Sequence, residues 1–133
     1  MEDQLVEAAE NARRAAYAPY SRFLVGAAVL ANGRIVSGCN VENASYGLTN
    51  CAERTAVFKA VSEGLYRIEA IAVVADTEVP VSPCGACRQV MAETEHRQAE
   101  PMQVILRGQE GSTFVFAAAR DFLPLYFDGD YLR

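Results

Sequence analysis

Cys51-Ala52-Glu53-Arg54 and Pro83-Cys84-Gly85-Ala86-Cys87-Arg88 are the stretches around which the chain is organised. Cys84 and Cys87, at the predicted start of a helix, can both turn toward one metal ion. Cys51, at the head of another predicted helix, completes a set of three thiolate ligands. Zinc takes four ligands in a tetrahedron, and catalytic sites keep one of the four positions for water or substrate. A closed structural site would need a fourth Cys or His nearby. The fourth cysteine, Cys39, lies in a strand-like run outside the pattern, and the only histidine, His96, stands between Glu95 and Arg97. Cys39 reads as a small buried apolar residue, His96 as a solvated surface group. The pattern therefore predicts an open zinc site with the Glu53 carboxylate attached as acid/base. A lone glutamate in a first helical turn does no more than favour the helix dipole; its place beside Cys51 is what points to chemistry.

The helices flanking these cysteines sit in an alternating frame. Leu5, Ala9, Ala12 and Ala16 recur at helical spacing, which predicts an amphipathic helix over 2–16, broken at Ala18-Pro19. Phe23 to Ala31 and Arg34 to Val41 read as strands around the hairpin turn Asn32-Gly33. Gly26 and Gly38 lie inside these strands, where a glycine marks either loose packing or close backbone approach. Cys51 to Glu63 reads as a helix stopped at Gly64, and Ile68 to Ala75 as a strand buried on both faces. Cys84 to Glu95 is a second cysteine-bearing helix with Pro83 at its start. Short strands follow at Met102–Leu106 and Ser112–Phe116, then a helical turn or two from Ala117 to Leu123. Alternating elements of this kind imply a mixed sheet with helices on both faces.

Four blocks in order carry a more specific likeness: Phe23-Leu-Val-Gly-Ala-Ala, Gly38-Cys-Asn-Val-Glu-Asn, Cys51-Ala-Glu-Arg-Thr-Ala and Ser82-Pro-Cys-Gly-Ala-Cys-Arg-Gln. Zinc deaminases carry a (His/Cys)-x-Glu followed by Pro-Cys-x-x-Cys, and from about Ala15 to Gln89 the chain resembles the small cytidine deaminases of nucleoside salvage. A weaker echo appears at Leu123-Pro124. The resemblance implies a single catalytic domain over 1–133, a three-layer α/β/α sandwich with a mixed five-stranded sheet. It implies one Zn²⁺ per subunit on Cys51, Cys84 and Cys87, with Glu53 moving protons and Arg54 hydrogen-bonded to ligand sulfur. Asn40 and Glu42, which flank Val41 and so point to one side of a strand, are assigned to the ribose hydroxyls. The Ser82 carbonyl and the backbone around Ala52 would read the base edge, and Phe23 would line the base pocket. Similar deaminases are homotetramers with a C-terminal Phe over the adjacent pocket, a role that falls here to Phe127. The implied reaction is hydrolytic deamination of cytidine and 2′-deoxycytidine to the uridine forms, with release of ammonia.

The chemistry needs these residue types. Attack on C4 of a pyrimidine requires a nucleophile stronger than neutral water, which zinc can generate. A carboxylate beside the metal can pass a proton to N3 and later to the departing amine. Three thiolates leave Zn²⁺ with a net negative charge. Helix N-termini and Arg54 can offset that charge by stabilising the sulfurs. Arg88 reads as an ordinary surface or packing residue.

Composition narrows the alternatives. A chain of 133 residues, half of them apolar, makes one core. A net charge of -5 and scattered cations argue against a nucleic-acid partner, which calls for a basic stripe. The acidic start Met1-Glu-Asp-Gln has no signal-peptide character, no apolar run reaches membrane-spanning length, and the cysteines read as reduced thiols. These features predict a cytoplasmic protein acting on a small nucleoside. A deaminase of a cytosine-like antibiotic such as blasticidin S shares the zinc core, but its relatives generally lack the full Asn-x-Glu-Asn block seen at Asn40 to Asn43. A non-catalytic zinc module would explain the cysteines but not Glu53 together with the ribose pair. A thioredoxin-like redox role is the poorest fit, because the C-x-x-C has a third partner. Two departures from the family stand out: Ala117-Ala118-Ala119 offers no Ser or Thr cap to the last helix, and Leu125-Tyr126-Phe127 is bulkier than usual.

Overall fold

Val25–Ala31 (β1) turns at Asn32-Gly33 and returns antiparallel as Arg34–Cys39 (β2). Both turn residues hold positive φ, 51° and 78°, the left-handed pair that Asn-Gly tolerates and that suits the twist of a hairpin. The computed structural model describes residues 1–132. Its other elements are Glu2–Arg13 (α1), Ala52–Ser62 (α2), Ile68–Ala75 (β3), Gly85–His96 (α3), Gln103–Arg107 (β4) and Thr113–Phe116 (β5). The five strands form one sheet in the order β2-β1-β3-β4-β5. The β3–β4 pair is parallel and the other pairs are antiparallel. The mixed five-stranded sheet with helices on both faces is the architecture expected.

Side-chain alternation decides which helix covers which face. Ala28 and Leu30 of β1 and Ala70, Ala72 and Val74 of β3 meet Leu5, Val6 and Ala9 of α1. Their neighbours Val25, Ala27, Val29, Ile71, Val73 and Ala75 pack with Ala56, Val57 and Ala60 of α2 and Met91 of α3. Two strand glycines set how close the helices come. A Cβ on Gly26 would lie 1.9 Å from the Ala9 carbonyl oxygen, and one on Gly38 would lie 2.7 Å from the Ala56 nitrogen. Close backbone approach, not loose packing, is what these glycines provide.

Several element ends differ from the periodicity: β1 begins at Val25 and not Phe23, and β2 ends at Cys39 and not Val41, so that Asn40 and Glu42 lie just beyond the strand. The first helix stops at Arg13, not near residue 16. Ala15 and Ala16 make only tight turn bonds to Ala12 and Arg13, and Tyr17 is drawn into a bridge with Val41. The helical turn or two expected from Ala117 to Leu123 is a single 3-10 turn, Ala119–Phe122, and another such turn follows at Gly129–Leu132. Cys39 lies half-buried on the outer strand β2 rather than fully inside. No helix of the described residues is long and apolar enough to cross a membrane.

The topology also places the cysteines. β2 and β3 are each antiparallel to β1, so they run in the same direction and end at the same edge of the sheet. α2 follows β2 and α3 follows β3, so both helices begin above that edge, where open α/β sheets form their ligand crevices.

Candidate metal centre and pocket

Cys51 is the N-cap of α2 and Cys84 the N-cap of α3, while Cys87 lies in the first turn of α3. The segment before Cys51 is anchored by a two-way backbone bridge between Val41 and Asn50, both bonds 2.9 Å. That bridge brings the segment after β2, with Asn40 and Glu42, beside the metal cluster. The Cys51 and Cys84 sulfurs are 3.7 Å apart and those of Cys84 and Cys87 are 3.5 Å apart. Tetrahedral zinc with Zn–S bonds of about 2.3 Å separates its sulfurs by about 3.8 Å, so the three thiols stand at ligand spacing. No fourth Cys or His joins the cluster among the described residues.

Electrostatics fit the same donor set. Arg54 Nη2 donates to Cys51 Sγ at 3.4 Å. The hydrogen bond from Cys87, joined by that from Arg54, pulls the Cys51 thiol from its usual 9.0 down to about 5. Cys87, donating to that thiolate, is pushed up. Groups that favour a thiolate at Cys51 suit a cation held by all three sulfurs. Among the described residues Arg54 Nε is buried with no hydrogen-bond partner, so this guanidinium is committed to the sulfurs at the cost of its own satisfaction.

Glu53, 5 % exposed, lies in the first turn of α2. Burial raises its carboxyl above the ordinary range, and the neighbouring Cys51 charge pushes the same way. Glu53 shares a cavity of about 200 Å³ with Phe23, Val25, Asn40, Thr49, Cys51, Ala52, Val81, Ser82 and Cys84. Phe23 precedes β1 and is 41 % exposed, which makes it a wall and not a core residue. Asn40 is 8 % exposed. Its amide oxygen accepts from the Val25 N–H at 2.9 Å, and its amide nitrogen donates to the Phe23 carbonyl at 2.8 Å. One N–H and one lone pair are left for a ligand.

Glu42 lies in an adjoining cleft of about 440 Å³ with Tyr20, Ser21, Asn43 and Tyr46, joined to the inner cavity through Thr49. Its carboxylate accepts from the Tyr20 and Ser21 N–H groups at 2.9 and 3.1 Å and from the Ser21 hydroxyl. The Ser21 hydroxyl is the main reason its pKa is lowered. Phe127 is outside both cavities of its own chain. It is 57 % exposed and stacked on Tyr131 at 5.5 Å, with its carbonyl accepting from Gln89 Nε2 at 2.8 Å. Thr49 and Val81 are lining residues that sequence reasoning missed; a loop threonine and a loop valine carry no periodic signal. Arg88, read as an ordinary surface or packing residue, instead bonds Ser82, Pro83 and Phe122.

Comparison with known proteins supports the same conclusion. Residues 1–100 match the cytidine and deoxycytidylate deaminase zinc-binding region. The cytidine deaminase of Sporosarcina psychrophila is 63 % identical over 92 residues, 68 % of each chain. That of Halalkalibacterium halodurans is 68 % identical over 90 residues, 67 % of this chain and 68 % of the relative. The crystal structure of cytidine deaminase from Burkholderia pseudomallei superposes with a TM-score of 0.89 at 51 % identity, covering 96 % of this chain and 99 % of that one. With three thiols at zinc spacing, a buried glutamate beside them and these relatives, the chain belongs to the zinc-binding family of cytidine and deoxycytidylate deaminases.

Proposed function

We propose that the protein is a hydrolase that converts cytidine and 2′-deoxycytidine to uridine and 2′-deoxyuridine with release of ammonia, in cytoplasmic pyrimidine salvage. The observation that carries this reading is the buried Glu53 carboxyl on the wall of the same small cavity as Cys51 and Cys84. Relatives named cytidine deaminase support the substrate. Cys51, Cys84 and Cys87 would hold zinc, which when bound supplies a Lewis acid able to lower the pKa of water from 15.7 toward about 7.

Glu53 accepts one proton from the attacking water and delivers it to N3 of the ring, then takes the remaining proton from the new C4 hydroxyl and gives it to the amine, so that the C4 carbonyl forms as ammonia leaves. A carboxyl raised by burial suits both directions of transfer, because acid and base forms lie closer in energy near neutral pH. Arg54 keeps the Cys51 sulfur charged and oriented. The inner cavity of about 200 Å³ suits a pyrimidine ring between Phe23, the Ala52 backbone and the Ser82 carbonyl. The adjoining cleft then takes the sugar, with Glu42 accepting from a ribose hydroxyl and Asn40 offering its remaining N–H. A net charge of -5 fits an uncharged nucleoside better than a nucleotide.

Assembly is part of this proposal. Leu125 is 98 % exposed, and Phe127, Tyr131 and Leu132 near it are also exposed, an apolar surface that a lone domain rarely leaves in water. A homotetramer covers it and places Phe127 over the pocket of a neighbouring subunit. The test of the proposed function is Glu53→Gln beside the parent. The parent is expected to release ammonia from cytidine. The variant is expected to keep zinc and lose about 10²–10⁴-fold in rate, the usual scale of positioned proton transfer. A zinc-loaded variant within about threefold of the parent removes Glu53 from the mechanism.

A further inference from the structure

The guanidinium of Arg88 is shared between two segments far apart in sequence. Nε donates to the Pro83 carbonyl at 2.8 Å and Nη2 to the Ser82 hydroxyl at 2.6 Å. Nη1 donates to the Phe122 carbonyl at 3.0 Å, and the guanidinium carbon lies 5.4 Å from the centre of the Phe122 ring. That ring is itself seated against Phe116 at the end of β5, centroids 4.6 Å apart. Ser82 and Cys84 line the inner cavity, and the Pro83 between them is fully buried. A guanidinium is planar with donors in fixed directions, so three acceptors on one fork are held in one mutual arrangement.

We propose that Arg88 is a positioning residue that fixes the Ser82-Pro83 wall of the pocket by tying it to the C-terminal segment at Phe122. The wall precedes the N-cap of α3 in an irregular loop with no ladder partner. Apart from Arg88, neither the Ser82 hydroxyl nor the Pro83 carbonyl has a hydrogen-bond partner among the described residues. The neighbouring Gln89 reinforces the attachment by holding the Phe127 carbonyl at 2.8 Å. The C-terminal segment thus acts on the base-binding wall through α3. What the wall contacts rests on the proposed function; the attachment itself does not.

Two measurements on the zinc-loaded, full-length protein separate these claims: cytidine kinetics and amide hydrogen exchange. Arg88→Ala is expected to retain one zinc per chain, to raise KM for cytidine about tenfold or more, and to change kcat less than about threefold. Exchange at the Arg88 and Leu123 amides, which donate to the Cys84 and Arg120 carbonyls, should accelerate about tenfold, while the second half of α3 keeps its protection. Arg88→Lys keeps the charge without the fork and serves if the alanine variant does not fold; it should still raise KM by about threefold or more. Loss of zinc, a fall in kcat with KM unchanged, or exchange at Arg88 and Leu123 equal to the parent's would overturn the proposal. Full recovery of KM by lysine would do so as well. If the parent itself releases no ammonia from cytidine, the proposed function fails, and the exchange at Arg88 and Leu123 still decides the attachment.

Discussion

Cys84 is the most exposed of the three clustered thiols and Cys87 the most buried, yet both belong to one donor set, so removing either should have the same first consequence. Cys84→Ala is expected to lose zinc on dialysis and to melt at lower temperature, because metal binding and folding are linked. Metal analysis showing full zinc occupancy in that variant would refute the ligand assignment. Glu42 tests the other end of the site. It already accepts hydrogen bonds from Tyr20 and Ser21, so its loss loosens that loop for every substrate. A sugar contact would add a penalty only for nucleosides. Glu42→Ala should therefore lower kcat/KM for cytidine by at least about tenfold more than for free cytosine; equal proportional losses would dismiss the ribose role. At this scale the sequence was most legible, since ligand spacing and the Cys-x-Glu pair are local features. Asn40 shows the limit. Its position beside Glu42 was visible, but its second task, holding Phe23 and Val25, depends on a strand neighbour far away in sequence.

Among the elements, α3 has a part that its own sequence conceals. The 3-10 turn at Ala119–Phe122 has no side-chain cap of its own, and the missing Ser or Thr leaves its first N–H groups in need of an acceptor. Glu95, 2 % exposed near the end of α3, supplies it. Its carboxylate accepts from Ala119 and Arg120 at 2.8 and 3.0 Å and from Met102 at 2.7 Å. Nothing local marks Glu95 for this role, because in sequence it is one acidic residue in a charged run. Tertiary contact alone reveals it. Glu95→Ala strands two buried donors and one part-buried donor and should cost about 2–5 kcal/mol in denaturant unfolding. Arg120→Ala, which removes only an exposed partner at 4.0 Å, should cost less than about 1 kcal/mol. Similar small losses for both would mean that water satisfies the turn. The strands and helices themselves were readable from alternation and periodicity. Their ends were set by partners such as the Tyr17–Val41 bridge, which no window of sequence contains.

The whole molecule presents two facts that a single protomer does not reconcile: a pocket open to solvent and a C-terminal end rich in exposed apolar side chains. Assembly joins them if Phe127 covers a neighbouring pocket. Phe127→Ala and Glu53→Gln, each impaired alone, should then regain activity when co-expressed and purified as mixed oligomers, because some pockets would combine an intact Glu53 with an intact Phe127. No rescue would defeat the trans role. Such contacts lie beyond what one chain's periodicity encodes, whereas the mixed sheet and its two helical layers followed from burial pattern alone. Three thiols and a buried glutamate at this sheet edge are the proposed means of deaminating a cytosine nucleoside. Ammonia release from the zinc-loaded protein, measured side by side with cytidine, cytosine, CMP and blasticidin S, tests it most directly. Cytidine should turn over faster than each of the others by about tenfold or more; CMP or blasticidin S outpacing it, or no ammonia from any of the four, would contradict the account.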